Sequence, residues 1–443
     1  MSNKLSDIVN FNPSRILKKG TVAPFIEMAS LPTNTKFIKQ IDEKPFSGGS
    51  KFKNGDTLFA RITPCLENGK TGKVTNLKDE IIGHGSTEFI VMSAKEPEFD
   101  EDYIYYFARL PEFREFAQQR MVGTSGRQRV AWQDLADFEF IFPPKEQRKK
   151  AAALLNIYDQ KIDLNTQINQ TLEQIAQALF KSWFVDFDPV RAKVQALSDG
   201  LSLEQAELAV MQAISGKTPE ELTALSQTQP DRYAELVETA KAFPCEMVEV
   251  DGVEVPKGWK IGTFTDITES RREKVKNDKA TVLSAVSSGE LVKSEEYFTK
   301  QVFSKSIDKY LKVYQWDFAY NPARINIGSI GLHEADYLGA VSPVYEVFSV
   351  SDKYHWFLKR ILNLETTKIK IQSLCTGSVR QTLKLKDFQS IDCVIPDEKT
   401  LSIFNKKWEE YRTLILENNE NTQTLSEIRD LLLPRLLSGD FNG

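Results

Sequence analysis

The chain has 443 residues, of which 41% are hydrophobic and 27% are charged, and its formal net charge is −5. This is ordinary globular composition, and because so long a chain exceeds one compact core, we expect two or more domains. No apolar run is long enough to span a membrane and the N-terminus lacks a basic-then-apolar signal, which predicts a soluble cytoplasmic protein.

Catalytic, metal and disulfide chemistry is not visible in the sequence. The four cysteines form no CxxC pair, and the three histidines are not at metal-ligand spacing. The GKT tripeptides at Gly69 and Gly216 lack the glycine five residues earlier that a phosphate loop needs. We therefore expect no enzymatic activity from this chain alone. Its net charge neither supports nor excludes DNA binding, because a local basic patch can bind phosphates on an acidic protein.

In chain order, the first pattern is a mixed α/β segment that ends in GTSGRQRVAWQDLADFEFIFPP, residues 123–144. A second such segment ends in TGSVRQTLKLKDFQSIDCVIP, residues 376–396. Arg127 and Arg380 lie 253 residues apart, and so do Asp134 and Asp387. This constant offset predicts two copies of one structural plan.

Weaker matches lie upstream in both segments. GDTLFARITP resembles WDFAYNPARINIG, which pairs Asp56 with Asp317 and Arg61 with Arg324. The spacing varies here, as expected if the loops of two related globular domains differ in length.

A long helix is predicted after each α/β segment, over residues 145–187 and 397–443. Apolar residues recur three or four positions apart, and the offset of 253 persists. A helix of this length, about 60 Å at 1.5 Å per residue, normally needs a partner, so we expect an antiparallel coiled coil of the two copies. Its expected positions are Tyr158, Ile162, Asn165, Leu172, Ile175 and Leu179, and Tyr411, Ile415, Asn418, Leu425, Ile428 and Leu432.

Two asparagines and one proline in these helices bear on how the helices pair and where the second one ends. Asn165 and Asn418 either fix the register of the pair or face solvent. Pro434 is expected to kink or end the second helix.

Residues 188–250, between the copies, have no counterpart in the repeat. Two capping boxes, Ser202 with Gln205 and Thr218 with Glu221, predict short helices there. We interpret this segment as a helical insertion that acts as a spacer.

Three stretches identify a family. FKSWFVDFDPVRAK (180–193), PKGW (256–259) and LLPRLLSGDF (432–441) resemble the specificity subunits of type I restriction–modification systems, the HsdS family. The resemblance covers essentially the whole chain, but the 188–250 segment is longer than the linker common in the family. It implies an α+β fold with an internal pseudo-two-fold repeat, in which target recognition domains 1–144 and 251–396 are joined by the two long helices.

The resemblance also implies a function. It implies a non-catalytic, double-stranded-DNA-binding subunit in which each domain reads one half of an asymmetric bipartite site and the helices set the spacer. Two methylation subunits would dock on it to form an adenine-N6 methyltransferase, and restriction subunits would add ATP-dependent cleavage. This chain would hold no cofactor, since S-adenosylmethionine, ATP and Mg²⁺ would belong to the partner subunits.

Arginine and glutamine are the natural readers of guanine and adenine in the major groove, and both also contact phosphates. The candidate DNA-binding residues are Arg61, Arg127, Gln128, Arg129, Arg271, Arg272, Arg324, Arg380 and Gln381. Because both copies keep Arg-Gln, that pair suits a shared task, which is either phosphate contact or internal bracing. Readers specific to one half-site are sought among residues that differ, such as Arg271 and Arg272.

An aromatic cluster, Trp183, Phe184 and Phe187, marks the end of the first long helix. It either packs against the neighbouring domain or forms a docking surface for a methylation subunit. Two other functions are compatible with the sequence as a whole: a protein-interaction scaffold without DNA contact, and a solitary specificity protein of a non-restriction defence system.

Overall fold

The computed structural model describes residues 3–78, 80–124, 126–298, 302–377 and 381–440. The chain forms two compact units. Unit 1 contains the chain up to Thr171 and again from Leu414, and unit 2 contains Leu172–Thr413. Both long helices therefore continue from one unit into the other.

Unit 1 contains two four-stranded sheets and one short strand pair. Their orders are β2-β9-β6-β7, β4-β3-β8-β5 and β1-β10, and every pairing is antiparallel except β3 with β8. The strands are β1 Asn3–Lys4, β2 Val9–Phe11, β3 Val22–Ile26, β4 Asp42–Pro45, β5 Ser50–Phe52, β6 Thr57–Ala60, β7 Thr71–Lys73, β8 Gly83–Gly85, β9 Phe89–Ala94 and β10 Glu139–Phe140.

The helices of unit 1 pack around one aromatic core. They are α1 Pro97–Phe107, α2 Pro111–Gln119, α3 Trp132–Ala136 and the first part of α4, Lys145–Phe184. The core joins Phe107 and Phe113 to Leu155 of α4 and to Leu433 and Leu437 from the end of the chain. The first domain therefore buries residues of both long helices.

The insertion forms four helices, and both predicted capping boxes are confirmed. Ser202 Oγ accepts from the Gln205 N–H at 3.3 Å, and Gln205 Oε1 accepts from the Ser202 N–H at 2.9 Å. The helices are α5 Asp188–Ser198, α6 Leu203–Ser215, α7 Pro219–Thr228 and α8 Pro230–Ala242.

Unit 2 repeats the sheets of unit 1 and adds the hairpin β11-β12. Its orders are β14-β21-β18-β19, β16-β15-β20-β17 and β13-β22, with β15 and β20 parallel as β3 and β8 are. Its strands are β11 Met247–Val250, β12 Val253–Pro256, β13 Lys260–Thr263, β14 Thr268–Ser270, β15 Thr281–Ala285, β16 Leu291–Lys293, β17 Leu311–Val313, β18 Phe318–Tyr320, β19 Ile330–Leu332, β20 Gly339–Val341, β21 Glu346–Val350 and β22 Asp392–Ile395. Its helices are α9 Ser294–Tyr297, α10 His355–Leu362, α11 Glu365–Leu374, α12 Leu385–Gln389 and the first part of α13, Glu398–Ser438. The internal repeat is confirmed.

The two long helices pair in antiparallel fashion. In unit 1, Asn165 Nδ2 donates to Asn421 Oδ1 at 3.3 Å, and Asn169 Nδ2 donates to Asn419 Oδ1 at 2.9 Å, so rising numbers in α4 meet falling numbers in α13. Asn165 is 1% exposed, which places it between the helices. Pro434 lies inside α13 and does not end it, which corrects part of the expectation for this residue.

The expected coiled-coil stripe is only partly the buried one. Ile162 is buried, but Ile175 is 41% exposed and Ile428 is 38% exposed. The residues next to them, Ala176 and Arg429, are buried instead. The predicted stripe is therefore rotated by about one residue from the packed face over part of its length. No helix in the described residues is long and apolar enough to cross a membrane.

Candidate nucleic-acid interface

The GTSGRQ segment of unit 1 forms a tight turn, here called the first RQ turn, residues 122–129. Val122 and Arg129 close it with two backbone hydrogen bonds of 2.9 and 3.0 Å. Gly123 has a φ of +138°, and a Cβ at this position would lie 3.0 Å from the Arg127 carbonyl oxygen. Glycine is therefore needed for the turn to close. Arg127 is exposed at its tip.

The first RQ turn packs on the segment that contains Arg61. The Thr63 N–H donates to the Gln128 carbonyl at 3.1 Å, and the Val130 N–H donates to the Arg61 carbonyl at 3.0 Å. Thr63 Oγ1 also accepts from the Gln128 N–H at 3.0 Å. The structure thus brings together two stretches that the sequence identified separately.

Arg129 and Arg127 have different surroundings. The Arg129 guanidinium binds Glu88 through two nitrogens, with Nε–Oε1 at 2.9 Å and Nη2–Oε1 at 2.7 Å. The Arg61 N–H donates to the Glu88 carbonyl at 3.0 Å, so Glu88 braces both stretches. Within the described residues, the Arg127 side chain has no hydrogen bond or ion pair, which leaves its guanidinium available to a ligand.

In unit 2, Thr376 and Thr382 pair through backbone hydrogen bonds of 3.0 and 2.8 Å, as Val122 and Arg129 do in unit 1. Thr376, Gly377, Gln381 and Thr382 are here called the second RQ site. Gln381 Oε1 accepts from Asn326 Nδ2 at 3.3 Å, next to the turn that carries the exposed Arg324. Arg380 lies outside the described residues.

Arg271, predicted to read one half-site, contacts a buried carboxylate. Its Nε lies 3.0 Å from Asp317 Oδ2, and Asp317 is 2% exposed. Burial raises the pKa of Asp317 to about 6. In unit 1, Arg15 binds the equivalent carboxylate, with Nη2–Oδ1 of Asp56 at 2.9 Å. Since both units use such a pair, Arg271 braces the domain, and its reading of a base stays a prediction.

Arg15 and Glu88 were missed because their roles depend on long-range contacts. The paired positions of Asp56 and Asp317 were a signal for the first of them, because a buried carboxylate needs a cation in each copy. Arg272 remains a surface candidate: it is exposed, and its Nη2 lies 2.5 Å from Glu346 Oε2.

The aromatic cluster at the end of α4 lies inside unit 2. Trp183 is 2% exposed, and its ring centroid lies 5.0 Å from that of Phe243. Phe184 and Phe187 are 4% and 7% exposed, and both contact Trp259. Their assignment to a subunit docking surface is therefore wrong, because neighbouring aromatic rings already cover these side chains.

Among the described residues, no group of histidine, cysteine, aspartate and glutamate is arranged to hold a metal ion. A family model described as "Type I restriction modification DNA specificity domain" matches residues 2–174. The HindI specificity subunit of Haemophilus influenzae, a type I restriction enzyme subunit, is 38% identical over 439 residues, which cover 92% of each chain. The chain belongs to the family of type I restriction enzyme specificity subunits.

More distant specificity subunits agree with this assignment. The MjaIX specificity subunit of Methanocaldococcus jannaschii is 20% identical over 77% of this chain and 69% of its own length. The crystal structure of a type I S subunit from M. genitalium superposes with a TM-score of 0.50 at 12% identity, covering 99% of this chain and 96% of that chain. The fold, two domains joined by two long helices, is that of the specificity subunits.

Proposed function

We propose that this specificity subunit binds double-stranded DNA and that each of its two domains reads one half of an asymmetric bipartite site. One observation carries the proposal: the first RQ turn packs on the segment that contains Arg61, the second RQ site contacts the segment that contains Arg324, and Arg127 and Gln381 are exposed there. The surrounding sequences differ between the copies, so the two half-sites differ as well.

The first RQ turn contains one arginine that is fixed by an ion pair and one that is available to a ligand. Arg129 is fixed by Glu88, so it holds the turn and not the DNA. Arg127 and Arg324 are exposed and carry a full positive charge, which suits contact with phosphate or with guanine O6 and N7. Arg127 and Arg324 would then position each domain on the DNA, and neighbouring residues that differ between the copies would read the bases.

The long helices set the distance between the half-sites. Each is a continuous helix, of 40 residues in α4 and 41 in α13, and each continues from one unit into the other. Adding or removing a turn, about 5.4 Å, would therefore change the spacer without changing the bases read.

The partners are two methylation subunits, joined in the nuclease by restriction subunits. Exposed apolar residues on the long helices support this docking: Leu154 and Ile428 of unit 1 are each 38% exposed, and Leu431 is 71% exposed. Such surfaces on a helix are typical of helix-to-helix association. S-adenosylmethionine, ATP and Mg²⁺ would be bound by the partners, so the chain itself is not catalytic.

Exchange of one domain tests this function. Residues 1–144 are replaced by those of a relative with another site, and methylated adenines are mapped by sequencing after co-expression with the methylation subunit. We expect one half of the methylated motif to change and the other half to remain. A change in both halves would refute the split reading, and an unchanged motif would favour a scaffold without DNA contact.

A further inference from the structure

The insertion packs against the long helices within unit 2. Phe243, directly after α8, packs on Trp183, and Thr400 Oγ1 of α13 lies 3.5 Å from the Ala242 carbonyl. Lys193 of α5 is buried and donates to the carbonyls of Ala240 and Phe243 at 3.1 and 2.9 Å. The base of the insertion is therefore fixed to the helix pair.

Above this base, the insertion and the helix pair enclose an open groove of about 250 Å³. Its floor is the unit-2 face, here defined as Ile175 and Leu179 of α4 with Lys407 and Tyr411 of α13. Its opposite wall includes Leu236 of the insertion. Ile175 remains 41% exposed, so the insertion walls this face without covering it.

The charges along the groove are unbalanced. Lys217 and Arg232 of the insertion line it together with Lys407 of α13, and Glu235 is the one acidic residue among the described residues that line it. An apolar floor with a mainly basic rim fits an amphipathic helix whose apolar ridge is flanked by acidic residues.

The repeat supplies an internal comparison. At the offset of 253, the unit-2 face corresponds to Ile428, Leu432, Leu154 and Tyr158, here called the unit-1 face. It is also apolar and partly exposed, with Ile428 and Leu154 each 38% exposed. The insertion helices belong to unit 2, and they line the groove on the unit-2 face.

We propose that the insertion makes the two docking faces unequal. The groove on the unit-2 face takes apolar side chains from an acidic-flanked amphipathic helix of a methylation subunit and holds this helix more tightly than the open unit-1 face does. This inference rests on the proposed function for the identity of the partner. It assigns the insertion a role in ordering assembly: the first methylation subunit binds at unit 2 and the second at unit 1.

The test isolates each face in the full chain. Ile428→Asp disables the unit-1 face and Ile175→Asp disables the unit-2 face; both side chains are partly exposed, so folding should persist, and thermal unfolding checks it. Arg232→Glu and Leu236→Asp are then added separately to each background. Lys241→Glu is the matched control, since Lys241 is exposed on the same helix as Arg232 and nine residues away, on its opposite side.

Binding of purified methylation subunit is measured by titration and native mass spectrometry. With Ile428→Asp, we expect Arg232→Glu and Leu236→Asp each to weaken binding by about tenfold, and Lys241→Glu to have no effect. With Ile175→Asp, none of the three should matter. Unchanged affinity in the Ile428→Asp background, or equal losses in both backgrounds, would overturn the role of the insertion. Failure of the wild-type chain to bind the methylation subunit at all would instead overturn the proposed function.

Discussion

Asp159 of the first long helix and Arg429 of the second form a buried ion pair, with 2.6 Å between Oδ1 and Nη1. The side chains are 1% and 2% exposed. The Tyr106 hydroxyl donates to the other carboxylate oxygen at 2.6 Å, which links the pair to the first domain. These two charged residues therefore fix helix to helix and helices to domain inside unit 1.

Removing Asp159 should be costly, because Arg429 stays buried and keeps as its counter-ion Asp430, whose side chain is 54% exposed. We expect Asp159→Ala to lower the free energy of unfolding by about 3 kcal/mol in urea denaturation, the lower end for a broken buried pair. The double variant Asp159→Ala with Arg429→Met should lose less than Asp159→Ala alone. Asp137→Ala, which breaks an exposed ion pair with Lys4, is the control and should have a much smaller effect. Equal losses for Asp159→Ala and the control would contradict this role.

Asn165, Asn421 and Thr422, here called the amide layer, should lower the stability of the helix pair and fix its register. Asn165 is buried and bonds Asn421 and Thr422, both of which retain access to water. We expect Asn165→Leu to raise the free energy of unfolding by about 1 kcal/mol, because a buried leucine gains more than the amide hydrogen bonds contribute.

Asn165→Leu should also make the length of the DNA spacer less well defined. Because alternative registers then become accessible, methylated motifs with more than one spacer length are expected in adenine mapping. A destabilised variant with a single spacer would show that the amide layer acts through hydrogen-bond strength alone.

The two arginines of the first RQ turn should behave differently. Arg127→Ala should weaken DNA binding of the assembled methyltransferase and reduce the slope of log affinity against log salt by about 1, with unchanged thermal unfolding. Arg129→Ala should lower thermal stability, because Glu88 loses its partner. Binding isotherms at several salt concentrations distinguish them. An unchanged salt slope for Arg127→Ala would remove this residue from the interface.

Asp317 should make the stability of unit 2 depend on pH. Its pKa is raised from 3.8 to about 6 by burial, so the folded state binds a proton that the unfolded state releases between these values. Stability should therefore fall as pH rises through this window, by about 3 kcal/mol at 1.4 kcal/mol per unit. Asn at this position does not titrate. We expect Asp317→Asn to gain stability relative to wild type by that amount between pH 4 and pH 7 in urea titrations, and a constant difference would refute it.

Much of the fold could be predicted because the chain repeats its plan. The offset of 253 predicted two domains and two long helices, and the pairing of Asp56 with Asp317 corresponds to equivalent buried carboxylates in the structure. Residue pattern alone also located the first RQ turn. These patterns are local or repeated, so they can be recognised in the sequence without the three-dimensional packing.

The remaining features depend on long-range packing. Ile175 and Ile428 appeared to be core residues, but the helices turn Ala176 and Arg429 inward because charged and small side chains find partners there. The ion pair of Arg271 with the buried Asp317 was not predicted, because it joins residues that are far apart in the sequence. The sequence left packing and docking open for Trp183, and the structure supports packing, because Phe243 of the insertion covers it. A single sequence does not reveal such partners.

Mapping methylated adenines in the genome of a host with and without this gene tests the central claim most directly. We expect deletion to abolish methylation at one bipartite motif with a fixed spacer, and the intact gene to restore it. Methylation that is identical in both strains, or confined to a continuous motif, would contradict split reading of DNA by this subunit.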